Sequence, residues 1–376
     1  MVEISFRDFS TVSEKRVREE NTMPTVAIAQ RRGRYENIGT ALDLLGQAAV
    51  SGNRHLIKPN FVSTEKQLAS THREAVQAVL DFLRRHSERP ITIGEGTALY
   101  DTFDGYRNFG FDSLVSGYQD VRLQDLNRDA YEMITLYDKD LAPLPVRIAK
   151  TVIESDHRIS LSIPKTHDTA MVTLGLKNMA VGSLVRDMDK SLFSLVGMVA
   201  DRFLNFVPPR LKPLFSFQGL SRLGITRISS SDKVKLHQGF LNMHLFLYQL
   251  ARAIPPHLVV LDGFAAMDGN GPVSGNPVPW DLALAGTDAV AVDAVAAYLM
   301  GFDPASIGYL YFCGRAGLGE TVVDRINIIG AGLDECRRPF KRHASFAAQV
   351  HWKDDGRRAF DRLQEVLDTQ IHRQKN

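Results

Sequence analysis

The chain contains very little cysteine. Only Cys313 and Cys336 occur among its 376 residues. Two thiols are too few for a disulfide framework, a four-cysteine zinc ribbon or an iron–sulfur cluster held by the chain itself. This composition fits a reducing compartment, and we expect a cytoplasmic protein. Residues 1–22 have no apolar stretch after their charged residues, so they do not predict a secretory signal.

An excess of charge of one sign is also missing. Lys and Arg number 45 against 43 Asp and Glu, which gives a net charge of +2, and the basic residues are dispersed along the chain. This balance argues against a nucleic-acid partner. No run of about 18 apolar residues is present for a membrane-spanning helix. The 44% hydrophobic and 23% charged residues are typical of a globular protein.

The spacing of the apolar residues predicts an α/β fold. β-Branched runs alternate with segments of 3.6-residue periodicity, which indicates a mostly parallel or mixed sheet with helices on both faces. Between 101 and 140 the pattern weakens and favours short helices with antiparallel strands at 121–123 and 131–137. The clearer predicted strands are 25–29, 56–61, 91–94, 159–163, 257–262, 282–285 and 326–329, and the predicted helices are 36–48, 73–86, 237–253 and 289–300.

The same pattern divides the chain into an N-terminal extension (1–22), an α/β domain (23–335) and a charged helical tail (336–376) that we expect to pack at the edge. The domain is either one unit or two intimately joined lobes, about 23–155 and 156–335. An apolar helical insert is predicted at 191–231. It is interpreted as a lid over an apolar substrate, a peripheral membrane contact through 191–223, or a helical hairpin packed on the core or in a homodimer interface.

The segment SIPKTHDTAMVTLGLKNMAVGS carries the clearest indication of a functional site. Lys165 and His167 directly follow a predicted strand. The segment then runs through a loop into a predicted helix that contains Lys177 and Asn178. Active sites of open α/β sheets form at the carboxyl ends of strands. Lysines supply positive charge for a carboxylate or phosphate, and a histidine serves as general base, general acid or metal ligand.

A glycine-rich loop in HLVVLDGFAAMDGNGPVSGNPV is the second candidate. Asp262 ends a predicted strand, and Gly269, Asn270 and Gly271 follow. Glycines let backbone amides approach an anion, but the loop has neither the GK[ST] ending of a Walker A loop nor the spacing of a dinucleotide fingerprint. Asp262 and Asp268 offer oxygens to a divalent cation. A turn rich in Asp, Asn and Gly for conformational reasons explains the same residues.

Polar residues recur where other predicted elements meet. Lys58 and Asn60 end one strand, Glu95 ends the next, and His237 begins a helix. Such repeated placement at strand ends favours one shared pocket over unrelated surface side chains. Asp293 lies inside a helix of alanines and valines, where a buried carboxylate must be paired or hydrogen-bonded.

Five segments in order resemble the family called domain of unknown function 362, over about residues 55–330. They are LIKPNF, ITIGEG, IPKTHDTAMVTLGLKNMAVG, VLDGFAAMDGNGPVSGNPV and AGTDAVAVDAVAAYLMGFDP. Members of that family are often joined to ferredoxin-like iron–sulfur modules, whose cluster ligands this chain lacks. The resemblance implies a shared pocket without supplying a reaction. A looser likeness, of architecture only, is to the nickel-pincer lactate racemases.

These observations together predict an enzyme acting on an anionic, partly apolar small molecule. Lys58, Lys165 and Lys177 would hold the anion, and His167 would transfer a proton. Asp262 with Asp268 would bind a metal or orient the histidine. Isomerisation, cyclisation or elimination fits such a site, as in a lyase or isomerase. The alternatives are a redox protein that depends on a flavin or a partner's iron–sulfur cluster, and a noncatalytic protein that binds a ligand or a membrane surface. The predicted catalytic residues are His167, Lys165, Lys177 and Asp262, the substrate-binding residues are Lys58, Asn60, Glu95, Asn178, His237, Gly269, Asn270 and Gly271, and a divalent metal would take Asp262 and Asp268.

Overall fold

The computed structural model describes residues 23–186 and 231–375, with side chains as far as residue 369. Strands and helices alternate along most of this length, as the α/β prediction requires. The described strands are β1 (Thr25–Gln30), β2 (His55–Lys58), β3 (Ile91–Glu95), β4 (Val121–Asp125), β5 (Tyr131–Tyr137), β6 (Pro143–Ala149), β7 (His157–Ser162), β8 (Lys165–His167), β9 (Met171–Thr173), β10 (Leu258–Asp262), β11 (Ala265–Asp268), β12 (Asn276–Pro279), β13 (Leu282–Gly286) and β14 (Asn327–Gly330).

Helices connect these strands and cover them. The described helices are α1 (Arg34–Leu45), α2 (Arg73–His86), α3 (Thr102–Asn108), α4 (Phe111–Val115), α5 (Lys150–Glu154), α6 (Gly175–Gly182), α7 (Asp232–Lys235), α8 (Phe240–Ala253), α9 (Ala289–Leu299), α10 (Gly308–Arg315), α11 (Leu333–Cys336), α12 (Phe346–Gln349) and α13 (Trp352–Lys375).

The central sheet has eight strands in the order β14-β1-β13-β10-β7-β2-β3-β4. Strand β13 runs antiparallel to both of its neighbours, β1 and β10, and the other pairs are parallel. The predicted mixed sheet is therefore confirmed. The antiparallel pairing expected for 121–123 is wrong, because β4 joins the edge of this sheet parallel to β3. The antiparallel prediction for 131–137 is correct, since β5 pairs with β6 as a hairpin.

Alternating side chains of the central strands enter two separate cores. On β1, Val26 and Ile28 belong to one core, whereas Ala27 and Ala29 belong to the other. Side chains of a strand point alternately to opposite faces, so both faces of the sheet are buried. The residues of α1 and α2 line one core and those of α6, α8 and α9 line the other. Helices thus cover both faces, as predicted.

Helix α2 shows why the sequence was informative about local structure. Its seven buried residues form one face of REAVQAVLDFLRRH, and the His72 side chain caps the helix by accepting from the Glu74 N–H at 3.2 Å. The last turn contains Arg84, Arg85 and His86, whose charges suit the carbonyl end of a helix. The predicted helix 73–86 is confirmed at both ends.

Helix α8 begins three residues later than predicted. Gly239 adopts a φ of 98°, a conformation that favours glycine, and it ends the turn that contains His237. His237 therefore lies in a connection between α7 and α8, where its side chain can face the strand ends.

A second, four-stranded sheet lies beyond the carboxyl ends of the central strands, in the order β12-β11-β8-β9. Two residues separate β7 from β8, and two separate β10 from β11. Neighbouring strands of the central sheet thus continue into neighbouring strands of the small one. The loops predicted after 163 and 262 are in part strands.

The C-terminal segment belongs to the core as well as to the surface. Trp352, Phe360, Leu363 and Leu367 are buried in the larger core. The helical tail was predicted, but its position was expected at the edge of the fold. One helix face, read from sequence, does not reveal which surface it covers.

Two predicted segments lie outside the described residues: the extension 1–22, and the insert 191–231 apart from Ser231. Arg186 and Ser231 form an antiparallel bridge, so the chain leaves and re-enters the described fold at adjacent positions. Across 23–186 and 231–375, no helix is both long enough and apolar enough to cross a membrane.

Candidate functional site

Polar side chains gather at the carboxyl ends of β2, β3 and β7, which are adjacent and parallel in the central sheet. Lys58 and Glu95 are the last residues of β2 and β3, and Lys165 follows β7 by three residues. Helix α6 packs over these strand ends and carries Lys177 and Asn178. The strand ends predicted to share one pocket do lie together.

Lys58 and Glu95 form an ion pair inside the protein. Lys58 is fully buried, and its Nζ donates to the Glu95 carboxylate, to the Pro59 carbonyl at 2.8 Å and to Asn178 Oδ1 at 3.2 Å. Burial lowers the pKa of Lys58, and the Glu95 charge opposes that effect. The structure revises the role expected for Lys58, because its charge is already neutralised and all three of its donors are used.

Lys165 is fully buried, and its partners in the described part of the chain are neutral. Its Nζ donates to Asn60 Oδ1 and to the Ala69 carbonyl at 2.8 Å. Burial, followed by the charge of Lys177, lowers the pKa of Lys165 to about 7. A neutral amine has two N–H groups, and both would be directed at these acceptors. Its lone pair then points away from them, and in the charged form a third N–H takes the same direction.

Lys177 is held without any hydrogen bond to a described residue. It is only 7% exposed, and no ion pair or hydrogen bond forms between it and residues 23–186 or 231–375. Burial lowers the pKa of Lys177 to about 8, against the opposing charge of Asp168. The charge of Lys177 in turn lowers the pKa of Lys165 and of His167, which places it within electrostatic range of both.

Two buried side chains fix the helix that carries Lys177. Asp293 accepts hydrogen bonds from the first two amides of α6, Gly175 N–H at 2.8 Å and Leu176 N–H at 3.0 Å. Asn178 donates to the Lys58 carbonyl and to Ser160 Oγ, both at 3.0 Å. Burial raises the pKa of Asp293 to about 7. The partner required for this carboxylate is thus the N-terminus of another helix, where negative charge is favoured.

His167 is a neutral imidazole whose Nδ1 atom lies near two backbone amides and a carboxylate. Nδ1 accepts from the Thr169 N–H at 3.1 Å and the Ala170 N–H at 3.3 Å. The Asp168 carboxylate also lies 2.9 Å from Nδ1. Burial and the Lys177 charge lower the pKa of His167 to about 3 despite Asp168. The two backbone amides favour a lone pair on Nδ1, whereas the Asp168 carboxylate favours a proton there, so either ring nitrogen can carry the proton of the neutral imidazole.

His237 joins this group, together with a lysine that the sequence did not single out. The rings of His167 and His237 are 6.5 Å apart, and His237 Nδ1 lies 3.1 Å from the Lys233 carbonyl. Lys233 is buried, donates to Asn127 Oδ1 at 3.2 Å and to the Leu184 carbonyl, and its pKa is lowered to about 7 by burial. Its position beside His237 in KVKLH was the one available signal.

Two buried hydroxyls flank Lys165. Ser162 ends β7, and Thr173 is the cross-strand neighbour of Lys165 in the β8–β9 pair. Neither hydroxyl has a hydrogen-bond partner in the described part of the chain. Buried polar groups without partners are uncommon and call for an explanation. A polar ligand at this position would supply one.

Asp262 and Asp268 have separate partners. Asp262 accepts from Arg34 Nε at 2.9 Å and from the Phe264 N–H at 3.2 Å, and burial raises its pKa. Asp268 accepts from the Lys341 N–H at 3.0 Å. Within 23–186 and 231–375 no group of three His, Cys, Asp or Glu side chains is arranged to hold a metal ion. Asp262 orients Arg34 rather than a histidine.

The glycine-rich loop around Gly269 packs against β8, next to the strand residues of the site. Thr166 Oγ1 donates to the Gly269 carbonyl at 2.9 Å, and a Cβ on Gly271 would lie 2.2 Å from the Thr166 carbonyl. This close approach requires glycine at 271. Asn270 accepts from the Ala344 N–H at 3.2 Å, so its side chain binds the C-terminal segment. The loop predicted to bind substrate packs on the strand that carries Lys165 and His167.

The C-terminal segment also forms hydrogen bonds with the turn after His167. Gln349 is fully buried, donates to the His167 carbonyl at 2.8 Å and accepts from the Met171 N–H. Ser345 Oγ donates to the Asp168 carbonyl at 2.8 Å. Nothing near Gln349 in the sequence marks this contact, because its partners lie about 180 residues earlier.

Lys165, Lys177 and Lys233 leave an excess of positive charge at the strand ends. None of the three forms an ion pair with a residue that the structure describes. A buried charge is costly unless it is paired. The arrangement suits an anion, which would contact the free side of Lys165 and Lys177.

The match to known sequences covers this site. Residues 56–298 match the family described as Domain of unknown function (DUF362). The chain belongs to this family. The matched DUF362 range runs from β2 into α9, and includes every lysine of the site and Asp293. The segment with Gln349 lies beyond it.

One relative of this DUF362 protein is a thylakoid-associated protein of Synechocystis sp., which is 24% identical over 282 residues, or 74% of this chain and 73% of the relative. Among solved structures, the lactate racemase apoprotein from Thermoanaerobacterium thermosaccharolyticum aligns at 14% identity and a TM-score of 0.39, covering 72% of this chain. A Thermotoga maritima protein aligns at 11% identity and a TM-score of 0.37, covering 68%. The chain covers 55% and 56% of those two structures, little more than half their length.

Proposed function

We propose that this DUF362 protein is an enzyme that binds a small organic anion and transfers a proton on it, as an isomerase or lyase does. The observation that supports this most is the set of buried lysines without carboxylate partners among the described residues. An anionic substrate would offset the cost of burying them.

Lys165 is the proposed general base. Its two fixed hydrogen bonds, to Asn60 and to the Ala69 carbonyl, leave one direction open for a proton. Its pKa of about 7 lets the amine accept and return a proton near neutral pH, which is the condition for efficient acid–base catalysis.

His167 is the proposed hydrogen-bond donor to the substrate. In the tautomer that carries its proton on Nε2, Nδ1 accepts from the two backbone amides, and Nε2–H is free to polarise a carbonyl or carboxylate oxygen that gains charge as the proton leaves carbon. This role replaces the expected transfer of a proton by His167, because a ring with a pKa of about 3 stays neutral.

Lys177 is the proposed binding group for the anion. Its pKa of about 8 keeps most of it charged at neutral pH, and it has no competing carboxylate within hydrogen-bond distance among residues 23–186 and 231–375. A substrate carboxylate or phosphate beside it would lie next to both Lys165 and His167, which share its electrostatic field.

Exchange of carbon-bound hydrogen with solvent tests this proposal before the natural substrate is identified. Small 2-hydroxy, 2-oxo and phosphorylated acids are incubated with the protein in D₂O, and loss of C–H signals is followed by proton NMR. We expect exchange in at least one acid. It should fall by about 100-fold or more in Lys165→Met and in His167→Gln, and remain in Lys353→Met, which removes an exposed lysine.

Exchange that is equally fast in wild type, Lys165→Met and His167→Gln would rule out the proposed roles. Circular dichroism of each variant establishes that its fold is retained, so that a lost rate is not a lost structure.

A further inference from the structure

We infer that Lys177 forms a Schiff base with the carbonyl group of the substrate, which makes the substrate an oxo acid. The inference rests on the proposed function, since it concerns the same site. It adds a covalent step and narrows the substrate from small anions in general to acids that also contain a ketone or aldehyde group.

Four lysines are buried among the residues that the structure describes, and their hydrogen bonds distinguish Lys177 from the other three. Lys58 donates to three acceptors, one of them the Glu95 carboxylate. Lys165 and Lys233 each donate to two acceptors. Lys177 donates to none that the structure describes. An amine that must attack a carbon atom needs a lone pair and a side chain free to move toward it, and Lys177 alone of the four has both.

Lys177 is also open to a ligand while remaining largely buried. Its side chain is more than nine-tenths buried. Its Nζ is nevertheless not among the described polar atoms that are sealed inside the protein without a partner, and neither is His167 Nε2. Both nitrogens therefore border accessible space, and the charge of Lys177 acts on the neutral His167 ring, so a carbonyl carbon and its oxygen could lie between them.

The neighbourhood raises the fraction of Lys177 that carries a lone pair. Burial lowers its pKa to about 8, so a substantial share of the amine is neutral near pH 7.5. Lysines in apolar surroundings or beside a second cation are activated in this way for attack on carbonyl carbon.

The position of Lys177 on α6 restricts the direction from which its amine can attack a carbonyl carbon. The first turn of α6 is fixed at the amides of Gly175 and Leu176 by Asp293, and at residue 178 by three hydrogen bonds of Asn178. The backbone of Lys177 lies between these two anchors. Catalytic groups on such rigid elements are held more closely than those on loops.

The reaction balances without any further cofactor. The Lys177 lone pair forms an N–C bond while the carbonyl π pair moves to oxygen, which His167 Nε2–H stabilises as a hydrogen-bond donor. One proton moves from nitrogen to that oxygen. The carbinolamine oxygen then takes a second proton, supplied by Lys165 in its ammonium form, and leaves as water. A protonated iminium remains, and Lys165 is now the neutral amine that can remove a proton from the adjacent carbon.

The product iminium carries its positive charge on the Lys177 nitrogen, as the ammonium form of the free lysine does. The iminium replaces the Lys177 ammonium, so a carboxylate beside it keeps its electrostatic partner. The site therefore favours an acid whose carbonyl group is close to its carboxylate, as in 2-oxo and 3-oxo acids.

Reductive trapping tests the inference. The full-length protein is incubated at pH 7.5 with pyruvate, or in parallel with acetoacetate, in the presence of sodium cyanoborohydride, and adducts are located by mass spectrometry of tryptic peptides. We expect one acid to label Lys177 at least about tenfold faster than any other lysine. Its lowered pKa leaves more neutral amine than an exposed lysine has at this pH, whereas the amines of Lys165 and Lys233 are held by two hydrogen bonds each. Lys177→Arg keeps the positive charge and should abolish the fast phase, whereas Lys353→Met should not affect it.

Labelling that is spread evenly over surface lysines, or concentrated on Lys165, would overturn the Schiff base at Lys177. Thermal stabilisation by inorganic phosphate, which contains no carbonyl carbon, separates the two proposals. If phosphate stabilises the wild type and neither acid labels Lys177, the anion site stands and the covalent step is wrong. If phosphate also has no effect, the proposed function fails, and the inference fails with it.

Discussion

Folding lowers the pKa of Lys165 into the range where its amine can gain and lose a proton near neutral pH. In the unfolded chain its pKa is near 10.5, and in the folded protein it is about 7. Between these values the unfolded chain holds a proton that the folded protein does not. Folding stability should therefore rise with pH across this interval, by up to about 1.4 kcal/mol per pH unit from this residue.

Chemical denaturation at pH 7, 8 and 9 measures this effect. The free energy of unfolding of the wild type should rise more steeply with pH than that of Lys165→Met, which has no proton to lose at this position. Lys353→Met provides the control, since an exposed lysine should leave the slope unchanged. Parallel slopes for wild type and Lys165→Met would show that Lys165 keeps its ordinary pKa in the folded protein.

Gly182 provides a second test at single-residue scale. A Cβ there would lie 1.9 Å from Lys58 Cε and 2.2 Å from its Nζ. In Gly182→Ala the end of the Lys58 side chain must shift, which disturbs its contact with Glu95, and overpacking of this kind typically costs about 1–3 kcal/mol. Gly39→Ala is the matched control: a Cβ at this helical glycine meets nothing within 4 Å, and alanine should stabilise by about 0.5–1 kcal/mol. Equal unfolding free energies in urea for both variants would contradict the Lys58 packing.

The sequence predicted which residues are polar at the strand ends, but not how they pair. LIKPNF and ITIGEG place Lys58 and Glu95 at the ends of two strands, and only the adjacency of β2 and β3 makes them an ion pair. The same limit applies to Asp262, whose partner Arg34 lies 228 residues earlier. Pairing between distant residues is decided by the order of strands in the sheet, which local periodicity does not contain.

Among the elements, α6 has the greatest influence on the site. Its N-terminus depends on Asp293 of α9, and its body on Asn178. Asp293→Ala leaves two buried amides without an acceptor, which should cost about 2–4 kcal/mol, and it frees the turn that positions Lys177. We expect weaker phosphate binding by calorimetry as well as lower stability.

Asp288→Ala is the comparison for Asp293→Ala. Asp288 also accepts from two helix amides, those of Val290 at 2.9 Å and Ala291 at 3.0 Å, but these belong to its own helix α9. Its loss should cost about 1–2 kcal/mol of stability and leave phosphate affinity nearly unchanged. Equal losses of affinity in the two variants would mean that α6 does not position the site.

Element type could be predicted from sequence where burial on one face sets the spacing, as in α2 (Arg73–His86) and β1 (Thr25–Gln30). Strand direction could be predicted for β5, which pairs antiparallel with β6, but not for β13 or β4. Strand β13 has the apolar sequence of a parallel strand yet runs antiparallel, because residues 276–279 first pair back onto β11. Strand β4 was expected to be antiparallel and is parallel. In both cases the tertiary connection sets the direction, and no local residue pattern records it.

For the whole molecule, the small net charge does not reveal the local excess of positive charge at the site. A total of +2 predicts neither attraction nor repulsion of an anion. The fold nevertheless brings Lys165, Lys177 and Lys233 together at the carboxyl ends of the central strands. Two carboxylates of this region, Glu95 and Asp168, contact Lys58 and His167 respectively. The local excess of positive charge is a product of topology, and it is the basis of the proposed function.

The most direct test of that excess is the pH dependence of anion binding. The rise in Tm produced by inorganic phosphate is measured against chloride at equal ionic strength, in the wild type and in Lys177→Met, at pH 7 and pH 9.5. We predict a clear rise at pH 7 in the wild type. It should shrink at pH 9.5, because Lys177, with a pKa of about 8, loses its charge, and it should be nearly absent in Lys177→Met at both pH values. A rise no greater than that with chloride, or one equally large in Lys177→Met, would contradict the account.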